Sequence, residues 1–489
     1  MLSLIRSGAP LTFKQRLVLT AKLSWPAIMA QLSNILMQYI DAAMVGRLGA
    51  DDSAAVGLVS TSLWLFWGIC SAATVGFSVQ VAHRLGGSDD VGARKVLRQG
   101  ITSAFCFGLV VGIIGAAISP FLPGWLGGTG AVNPKASLYF LVFVSALPLL
   151  TLNYLGGAML RASGNMKVPS ALNIMMCLLD VLFNLLLIFP SREITLGSVG
   201  FILPGAGLGV LGAALGTAGA EAFTALCMMG YLCFKQKELA ILGKWAKGRV
   251  NKWRDFVPSR DVVMNAVRVS APMTLEHAVI CGAQIMVTVI VAPLGVMAIA
   301  ANAFAVTAEA LCYMPGYGIA DAATTLVGHC YGAGRKKLAK QFGYITVGLG
   351  MIVMTVMGAV LWVTAPMIMD MLTPIKEISA LGASALRIES WAEPMFAASI
   401  VAYGVMVGVG DTLVPSIMNF SSIWLVRIPL AALLAPVWGV DGVWTAMCIE
   451  LCFRGSIFLF RLIRGTWLKH GLKHKANTAD NLPQVDPNT

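Results

Sequence analysis

The chain has 489 residues, of which 57% are hydrophobic and only 12% are charged, and its formal net charge is +12. A soluble globular protein carries roughly 25% charged residues, so half that share cannot cover the surface of a water-soluble particle. This composition excludes a soluble enzyme, a disordered chain and a disulfide-stabilised secreted domain, and it indicates an integral membrane protein.

Twelve long apolar runs with almost no charge follow one another along the chain. A spanning helix needs about 20 apolar residues, which each run supplies. The runs begin near Trp25, Ala54, Gly100, Ser137, Val168, Leu203, Ala271, Ala298, Phe342, Leu381, Leu413 and Gly442. Only one long polar interruption occurs, Lys235–Asp261, at the middle of the chain. The pattern predicts an all-α integral membrane protein with twelve transmembrane helices.

The distribution of Lys and Arg predicts the orientation of these helices. With the amino terminus inside, the cytoplasmic segments hold 28 of these residues and the external loops hold 4. Cytoplasmic loops of membrane proteins carry such an excess. We therefore expect a multi-pass protein of a bacterial-type inner membrane with both termini in the cytoplasm. The net charge then needs no nucleic-acid partner.

The two halves of the chain match at a constant offset of 246 residues, as from His83 to His329. Towards the end of each half the offset shortens to 230, as from Gly209 to Gly439, because the first half carries an extra external loop around Arg192–Gly205. Sustained matching at one offset indicates duplication of a six-helix unit.

Six is an even number, so both repeats have the same orientation, related by a pseudo-two-fold axis along the membrane normal. We predict an N-terminal six-helix lobe at 1–234, a basic cytoplasmic linker at 235–262, a C-terminal six-helix lobe at 263–465 and a polar cytoplasmic tail at 466–489. A bundle of two parallel repeats has a central cleft between its lobes.

Several motifs carry a family resemblance. They are Ser24-Trp25-Pro26, Asp41, Met44-Val45-Gly46-Arg47-Leu48-Gly49, Arg161-Ala162, Gly164-Asn165, Pro169, Gly410-Asp411-Thr412, Arg427-Ile428-Pro429 and Gly439 with Gly442 and Trp444. In these motifs the chain resembles the multidrug and toxic compound extrusion (MATE) family. The resemblance implies two lobes around a V-shaped cleft and export of cationic or amphipathic organic compounds in exchange for protons or sodium. Lipid-linked-oligosaccharide flippases share the wider superfamily, so a flippase is the alternative.

Acidic side chains at bilayer depth usually mark a pathway or a relay. At 1.5 Å per residue, Asp41 lies about 28 Å along the first helix and Asp180 about 20 Å along the fifth, so the two can meet. Asn173, Asp180 and Asn184 share one helical stripe. Such oxygens suit sodium, a desolvated carboxyl equally suits a proton, and a purely structural role in joining helices is the other interpretation.

The resemblance gives specific residues of the first half a role. It implies that Asp41 is a cation-responsive acid, and it leaves open whether Asp180 or Asn184 is the direct ligand. It also places Tyr139 near this site, although an interfacial aromatic anchor is an equal alternative. Pro26 interrupts the first helix, where it forms either a movable gating kink or a fixed structural kink.

The second half carries a different set of acids. Family members often have acids on the seventh and tenth helices, and Glu276 and Glu393 lie about one turn from those places. With His277, they are expected to meet the substrate or relay a second proton, or else to be structural. The acids do not match between the repeats, since Asp41 aligns with Val287. We therefore expect the first lobe to bind the coupling ion and the second to bind the substrate.

Two arginines are given structural interpretations. Arg387 precedes Glu389 closely enough for a local ion pair, and Arg427 is expected to bind backbone carbonyls beside Pro429.

The sequence lacks the motifs of several competing functions. It has no GxxxxGK[ST] phosphate loop, no HExxH or GxSxG motif and no Cys/His cluster. An ATP-driven pump and an enzyme are therefore unsupported, and we expect no cofactor and no metal beyond a sodium ion at Asp41, Asp180 and Asn184. Acids outnumber cations within the predicted helices, which favours small organic cations as substrates. We expect a monomer surrounded by membrane lipids.

Overall fold

The computed structural model describes residues 2–6, 8–130, 132–196, 199–242 and 253–472. Its helices are α1 Leu2–Arg6, α2 Phe13–Gly46, α3 Ala50–Gly86, α4 Asp90–Ile118, α5 Leu122–Trp125, α6 Val132–Ala162, α7 Lys167–Leu187, α8 Val210–Phe234, α9 Arg260–Val291, α10 Val296–Gly332, α11 Lys336–Leu372, α12 Lys376–Ser390, α13 Glu393–Val409, α14 Leu413–Ser422 and α15 Ile428–Arg464. Much of the predicted linker (243–252) and of the predicted tail (473–489) lies outside the described residues.

The described helices supply the twelve predicted membrane crossings. Nine helical stretches of the described chain are long and apolar enough to cross a membrane, and the bent pair α12 and α13, at 61° to each other, is a tenth. The stretch Leu413–Arg464 is counted once, yet its helix breaks at Gly439, where φ is 60°, so it contains two crossings. Helix α2 brings the number of crossings to twelve. It is 34 residues long but less apolar than the nine stretches, because it carries Gln31, Gln38 and Asp41.

The sixth crossing begins later than the sequence predicts. Leu203 was expected to lie near its start, but it belongs to a strand, and α8 begins at Val210. Strands β1 Pro190–Leu196 and β2 Val199–Ala206 pair as an antiparallel hairpin, with Arg192 opposite Leu203. The expected extra loop is therefore a β-hairpin, consistent with its β-branched and aromatic residues.

Helices α2 and α3 of the first repeat pack on the second repeat. Helix α2 packs on α7 within its own repeat and on α10 of the other, and α3 packs on α6 of its own repeat and on α9 of the other. One end of the bundle carries both described terminal segments (2–11 and 465–472) and the loops at 87–89 and 333–335. We call it the basic end.

At the basic end, the repeats meet through a symmetric pair of histidines. Nε2 of His83 lies 2.7 Å from the carbonyl oxygen of Gly408, and Nε2 of His329 lies 2.7 Å from that of Ala162. Both rings are buried. The offset of 246 residues relates His83 to His329 and Ala162 to Gly408, so the duplicated sequence forms the same contact twice.

Two glycines allow this close approach. A Cβ atom on Gly86 would lie 2.2 Å from the carbonyl oxygen of His329, and one on Gly332 would lie 2.0 Å from that of His83. Both distances are far inside van der Waals contact, and the clashing atoms are backbone. Any side chain at either position would therefore separate the repeats at the basic end.

The substitution Gly86→Ala is expected to destabilise the protein. Overpacking of this kind costs about 1–3 kcal/mol, and it should lower the midpoint of thermal unfolding measured in detergent. Gly348→Ala is the matched control, because no atom lies within 4 Å of its added Cβ. Equal midpoints for the two variants would show that the glycine contact does not hold the repeats together.

Candidate functional site

In the first repeat, Asp41, Asp180 and Asn184 meet. The side-chain amide of Asn184 donates to Oδ1 of Asp41 at 2.8 Å and to Oδ2 of Asp180 at 3.1 Å. Asp180 and Asn184 are four residues apart, so they share a face of α7, and both are buried. Two carboxylates thus converge on one NH2 group. Like charges this close cannot both persist in a low-dielectric site without a cation.

A cavity of about 190 Å³ adjoins this contact. Three of the predicted residues line it: Asp41 from α2, Tyr139 from α6 and Asn173 from α7. The structure therefore brings together all five residues proposed for the coupling ion, three as cavity lining and two beside Asp41. Pro26 lies within continuous α2, toward the basic end from Asp41.

The same cavity contains two residues that the sequence interpretation missed. Thr217 and Glu221 lie four residues apart on α8, and both line the cavity. Glu221 is buried, and within the described part of the chain its Oε2 has no hydrogen-bond partner. An isolated Glu in the alanine-rich sixth run was the available signal, since the criterion applied to Asp41 would have selected it.

Several oxygen atoms around this cavity lack a hydrogen-bond donor. Among the described residues, no partner reaches Oδ1 of Asn153, Asp180 or Asn184, and no Lys or Arg nitrogen lies within 4.0 Å of Asp41, Asp180 or Glu221. Buried polar groups normally find partners. Carboxyl and amide oxygens without donors suit either a bound proton or a hard monovalent cation.

No cluster of the type that holds transition metals occurs in the part of the chain that the structure describes, where no three His, Cys, Asp or Glu side chains have suitable geometry.

In the second repeat, Glu276 faces a separate cavity. Its carboxylate accepts hydrogen bonds from the Tyr403 hydroxyl at 2.7 Å, from Ser416 Oγ at 2.6 Å and from the Asn419 amide. These donors come from α13 and α14 and fix the carboxylate in position. Together with Glu276 itself, on α9, they show that three helices build this site.

The cavity beside Glu276 lies between the repeats and has a volume of about 410 Å³. Its charged lining residues are Arg161, Glu276, Asp321 and Arg454, and His277 also lines it. Arg161 Nε lies 3.8 Å from the Asp321 carboxylate, and Arg454 Nε lies 3.1 Å from that of Glu450. Among the described lining residues, Glu276 is the carboxylate without a cationic partner within 4.0 Å.

His277 lies where the repeats touch. Its Nε2 is 3.1 Å from the carbonyl oxygen of Trp64, and a Cβ atom on Gly68 would lie 1.8 Å from the same nitrogen. The imidazole therefore packs directly on α3. It lines the cavity beside Glu276 and also joins the two repeats.

Glu393 does not join Glu276 and His277, contrary to the grouping that the sequence suggested. It is fully buried near Glu309 and Glu389, outside the lining of the cavity between the repeats. Within the described residues, no donor reaches any carboxyl oxygen of Glu389 or Glu393. Glu393 begins α13, ten residues before Tyr403, the residue of this helix that contacts Glu276, and is therefore about 15 Å from it along the helix.

The partners expected for the two arginines were wrong. Nε of Arg387 donates to the Trp362 carbonyl at 3.2 Å while Glu389 is buried, because residues two apart on a helix face different directions. Arg427 donates to the Glu450 carboxylate at 2.7 Å from Nη2 and 3.0 Å from Nε.

Glu450 shows the contrasting, structural arrangement. Its carboxylate contacts Arg427 and Arg454 and also accepts from Ser422 Oγ at 2.6 Å. This buried acid has two counter-charges, whereas Glu309, Glu389 and Glu393 form a carboxyl cluster. The second repeat thus holds both kinds of buried acid.

Curated proteins resemble the chain over nearly its whole length. A Thermotoga maritima protein named "Probable multidrug resistance protein NorM" is 25% identical over 463 residues, which are 92% of this chain and 93% of its own length. A Pseudomonas aeruginosa protein of the same name is 27% identical over 431 residues, covering 86% of this chain and 84% of its own.

Solved structures share the fold. One described as "Crystal structure of MATE in complex with MaL6" has a TM-score of 0.84 at 21% identity, covering 96% of this chain and 99% of its own. A MOP superfamily transporter from Pyrococcus furiosus, described by a reverse polarity of its binding pocket that suggests a different function, has a TM-score of 0.83 at 21% identity, covering 96% and 98%.

The sequence profile of the MatE family matches the chain twice, at residues 26–186 and 272–433. The two matches fall on the two repeats and cover more than half of the chain. They confirm the family resemblance that the motifs indicated. Together with the solved structures, they also confirm the two-lobed fold of twelve helices. The chain belongs to the MatE family of multi-pass membrane transporters.

Proposed function

We propose that this protein is a secondary active multidrug efflux antiporter, which exports cationic and amphipathic organic compounds in exchange for H+ or Na+. The observation that carries the proposal is the cavity between the repeats, where Glu276 is the lining carboxylate without a cationic partner among the described residues. The names of the NorM relatives, which describe multidrug resistance, support it.

The walls of this cavity support a preference for organic cations. Tyr317, Phe396 and Tyr403 line it together with Glu276. Aromatic faces attract cations within about 6 Å, and a carboxylate adds a full opposite charge. Because aromatic rings also bind apolar surface without strict geometry, such a wall accepts amphipathic cations of varied shape.

The first-repeat cavity supplies the coupling step. When Asp41 and Asp180 bind a proton or sodium, their mutual repulsion is relieved; when the cation leaves, the repulsion favours separation of α2 from α7. Helix α2 also packs on α10 of the other repeat. Cation binding can thereby bias the arrangement of the two repeats, which alternating access requires.

The basic end supplies the gate in this proposal. By the distribution of Lys and Arg it faces the cytoplasm, with both termini. The symmetric histidine contacts close the passage there, and opening toward the cytoplasm requires that both break. Because the two contacts are equivalent by duplication, the repeats can rotate about the pseudo-axis and break them together.

The cavity charges favour this function over a lipid-intermediate flippase. A pyrophosphate substrate needs several available cations, but Arg161 and Arg454 each have a carboxylate partner. The Pyrococcus furiosus transporter is described as having a binding pocket of reverse polarity, which suggests a different function for that protein. In this chain the lining polarity is negative at Glu276.

Transport in proteoliposomes tests the proposal directly. A gradient of H+ or of Na+ is imposed separately, with the higher concentration inside the proteoliposomes. The gradient of the coupling ion is expected to drive accumulation of an ethidium-like dye inside, against the concentration gradient of the dye. Dissipation of both gradients should abolish accumulation. Transport that persists without any ion gradient, or transport of lipid-linked oligosaccharide but not dye, would contradict the antiporter proposal.

The substitution Asp41→Asn is expected to abolish gradient-driven transport while dye binding in detergent persists, because one neutral side chain removes the need for the coupling cation. Asp51→Asn is the matched control, since Asp51 is exposed at the start of α3. Normal transport by Asp41→Asn, or loss of dye binding through unfolding, would refute the role of the first-repeat cavity.

The substitution Glu276→Gln should separate substrate binding from coupling. Loss of a charged contact of about 1.5–3 kcal/mol predicts at least a tenfold weaker dye affinity, measured by fluorescence titration. Glu377→Gln is the control, because Glu377 is exposed on α12. Unchanged dye affinity in Glu276→Gln would show that the cationic group does not bind there.

A further inference from the structure

A third cavity, of about 530 Å³, lies at the basic end, outside the transport path described above. Its lining includes Arg16 from the start of α2, together with Arg335, Lys336 and Lys337 from the start of α11. No acidic residue of the described part of the chain lines it. The cavity therefore collects four cations, one from the first repeat and three from the second.

None of these four cations has a carboxylate partner within 4.0 Å among the described residues. Arg335 also binds backbone carbonyls of the segment that precedes α2. Its Nη2 donates to the carbonyl of Ala9 at 2.9 Å and its Nη1 to that of Ile5 at 3.4 Å. It holds the amino-terminal segment against the second repeat.

Arg335, Lys336 and Lys337 also lie at the amino terminus of α11, where a positive charge is electrostatically unfavourable. The amino terminus of a helix carries a partial positive charge and four unsatisfied N–H groups, which acidic side chains normally stabilise. Helix α11 begins at Lys336, has no acidic residue in its first turn and receives no hydrogen bond from the side chain of its N-cap, Arg335. Three positive side chains therefore add to the positive end of the helix.

The first repeat provides an internal comparison. At the equivalent positions, 246 residues earlier, Asp89 is the N-cap of α4 and Asp90 its first residue. The Asp89 carboxylate accepts from the Gly92 backbone N–H at 2.8 Å and from Arg84 Nη1 at 2.9 Å. The first repeat thus carries its own anion at this helix end, whereas the second has cations and a cavity.

Exposed apolar and aromatic side chains beside the cavity indicate that it lies at the membrane surface. Phe13 and Leu17 are 62% and 39% exposed on α2, one turn apart and on either side of Arg16 along the chain. Lys340 lies over the ring of Tyr344, 5.6 Å from its centroid, and that ring is 40% exposed. Cations beside exposed aromatic and aliphatic residues are typical of the interface between headgroups and acyl chains.

We propose that this cavity binds the phosphate of an anionic phospholipid from the cytoplasmic leaflet, with Arg16, Lys336 and Lys337 as its ligands. The lipid phosphate supplies the negative charge that Asp89 and Asp90 supply in the first repeat, and its acyl chains lie along Phe13 and Leu17. Basic cavities on the cytoplasmic side commonly recognise such headgroups. The inference is independent of the transported substrate.

Bound lipid has a structural consequence. The cavity is lined by Arg16 at the beginning of α2 and by the α10–α11 loop, so a phosphate there bridges the two repeats. It lies at the same end of the bundle as the histidine contacts. An anionic lipid therefore stabilises the arrangement that is closed at the basic end.

Thermal unfolding of the purified full-length protein in detergent tests this site. Dioleoylphosphatidylglycerol is expected to raise the unfolding midpoint in a saturable way, because a ligand that binds only the folded state stabilises it. Dioleoylphosphatidylcholine and inorganic phosphate are the comparison additions and should give little shift. Equal shifts with both lipids, or the same shift with inorganic phosphate alone, would overturn the proposal.

The double variant Lys336→Gln/Lys337→Gln locates the effect. Each cation near an anionic lipid contributes a factor of about five in affinity. The apparent affinity of the double variant for phosphatidylglycerol should therefore fall about thirtyfold. Lys95→Gln/Lys469→Gln is the matched control, since both lysines are exposed at the basic end and do not line the cavity. A double variant that responds like the protein itself, or a control that loses the response equally, would contradict the assignment.

One single substitution is expected to increase stability, so its effect cannot be mistaken for a failure to fold. Lys336→Asp places at the start of α11 the acid that the first repeat has at Asp90. It should raise the unfolding midpoint without added lipid and remove the response to phosphatidylglycerol. A lower midpoint together with a retained lipid response would show that the helix end does not require an anion.

Discussion

A carboxyl group inside a membrane-embedded helix bundle needs a counter-charge, a set of donors or a bound cation, because the surrounding medium does not solvate it. The protein meets this constraint in different ways. Glu450 has two arginines, Asp321 has Arg161, and Glu276 has three hydrogen-bond donors. Asp41 and Asp180 share a single amide. With both carboxyls ionised, the last arrangement lacks a compensating charge, and the proposed coupling rests on a cation that binds there and exchanges.

Duplication explains why scaffold and chemistry are distributed differently. The histidine contacts and the glycines beside them occur in both repeats at the same offset, because each repeat must meet the other at the basic end. The acids were free to diverge once the scaffold existed twice. The acid-bearing start of α4 and the lysine-bearing start of α11 show the same divergence outside the transport path. Equivalent positions therefore identify what is structural, and differences between the repeats identify candidate functions.

The sequence was sufficient for the twelve crossings, the duplication and the meeting of Asp41 with Asp180, because hydropathy, offset and helical rise determine them. It was insufficient where tertiary packing selects a partner. Glu393 lies at the start of α13, ten residues before the Tyr403 that contacts Glu276, and Arg427 meets Glu450, which lies 23 residues further on. The hairpin at 190–206 was missed because an apolar strand resembles the start of a spanning helix. Glu221 could have been found, since it stood alone in an apolar run.

The account holds that binding of an organic cation and occupancy of the first-repeat carboxyls are linked. The most direct measurement is the number of cations released per dye bound, determined in weakly buffered detergent with a pH indicator and a sodium electrode. By reciprocal linkage, the protein is predicted to release about one H+ or Na+ per dye, and Asp41→Asn to bind dye with no release. Dye binding without cation release in the unmodified protein, or equal release by Asp41→Asn, would contradict the account.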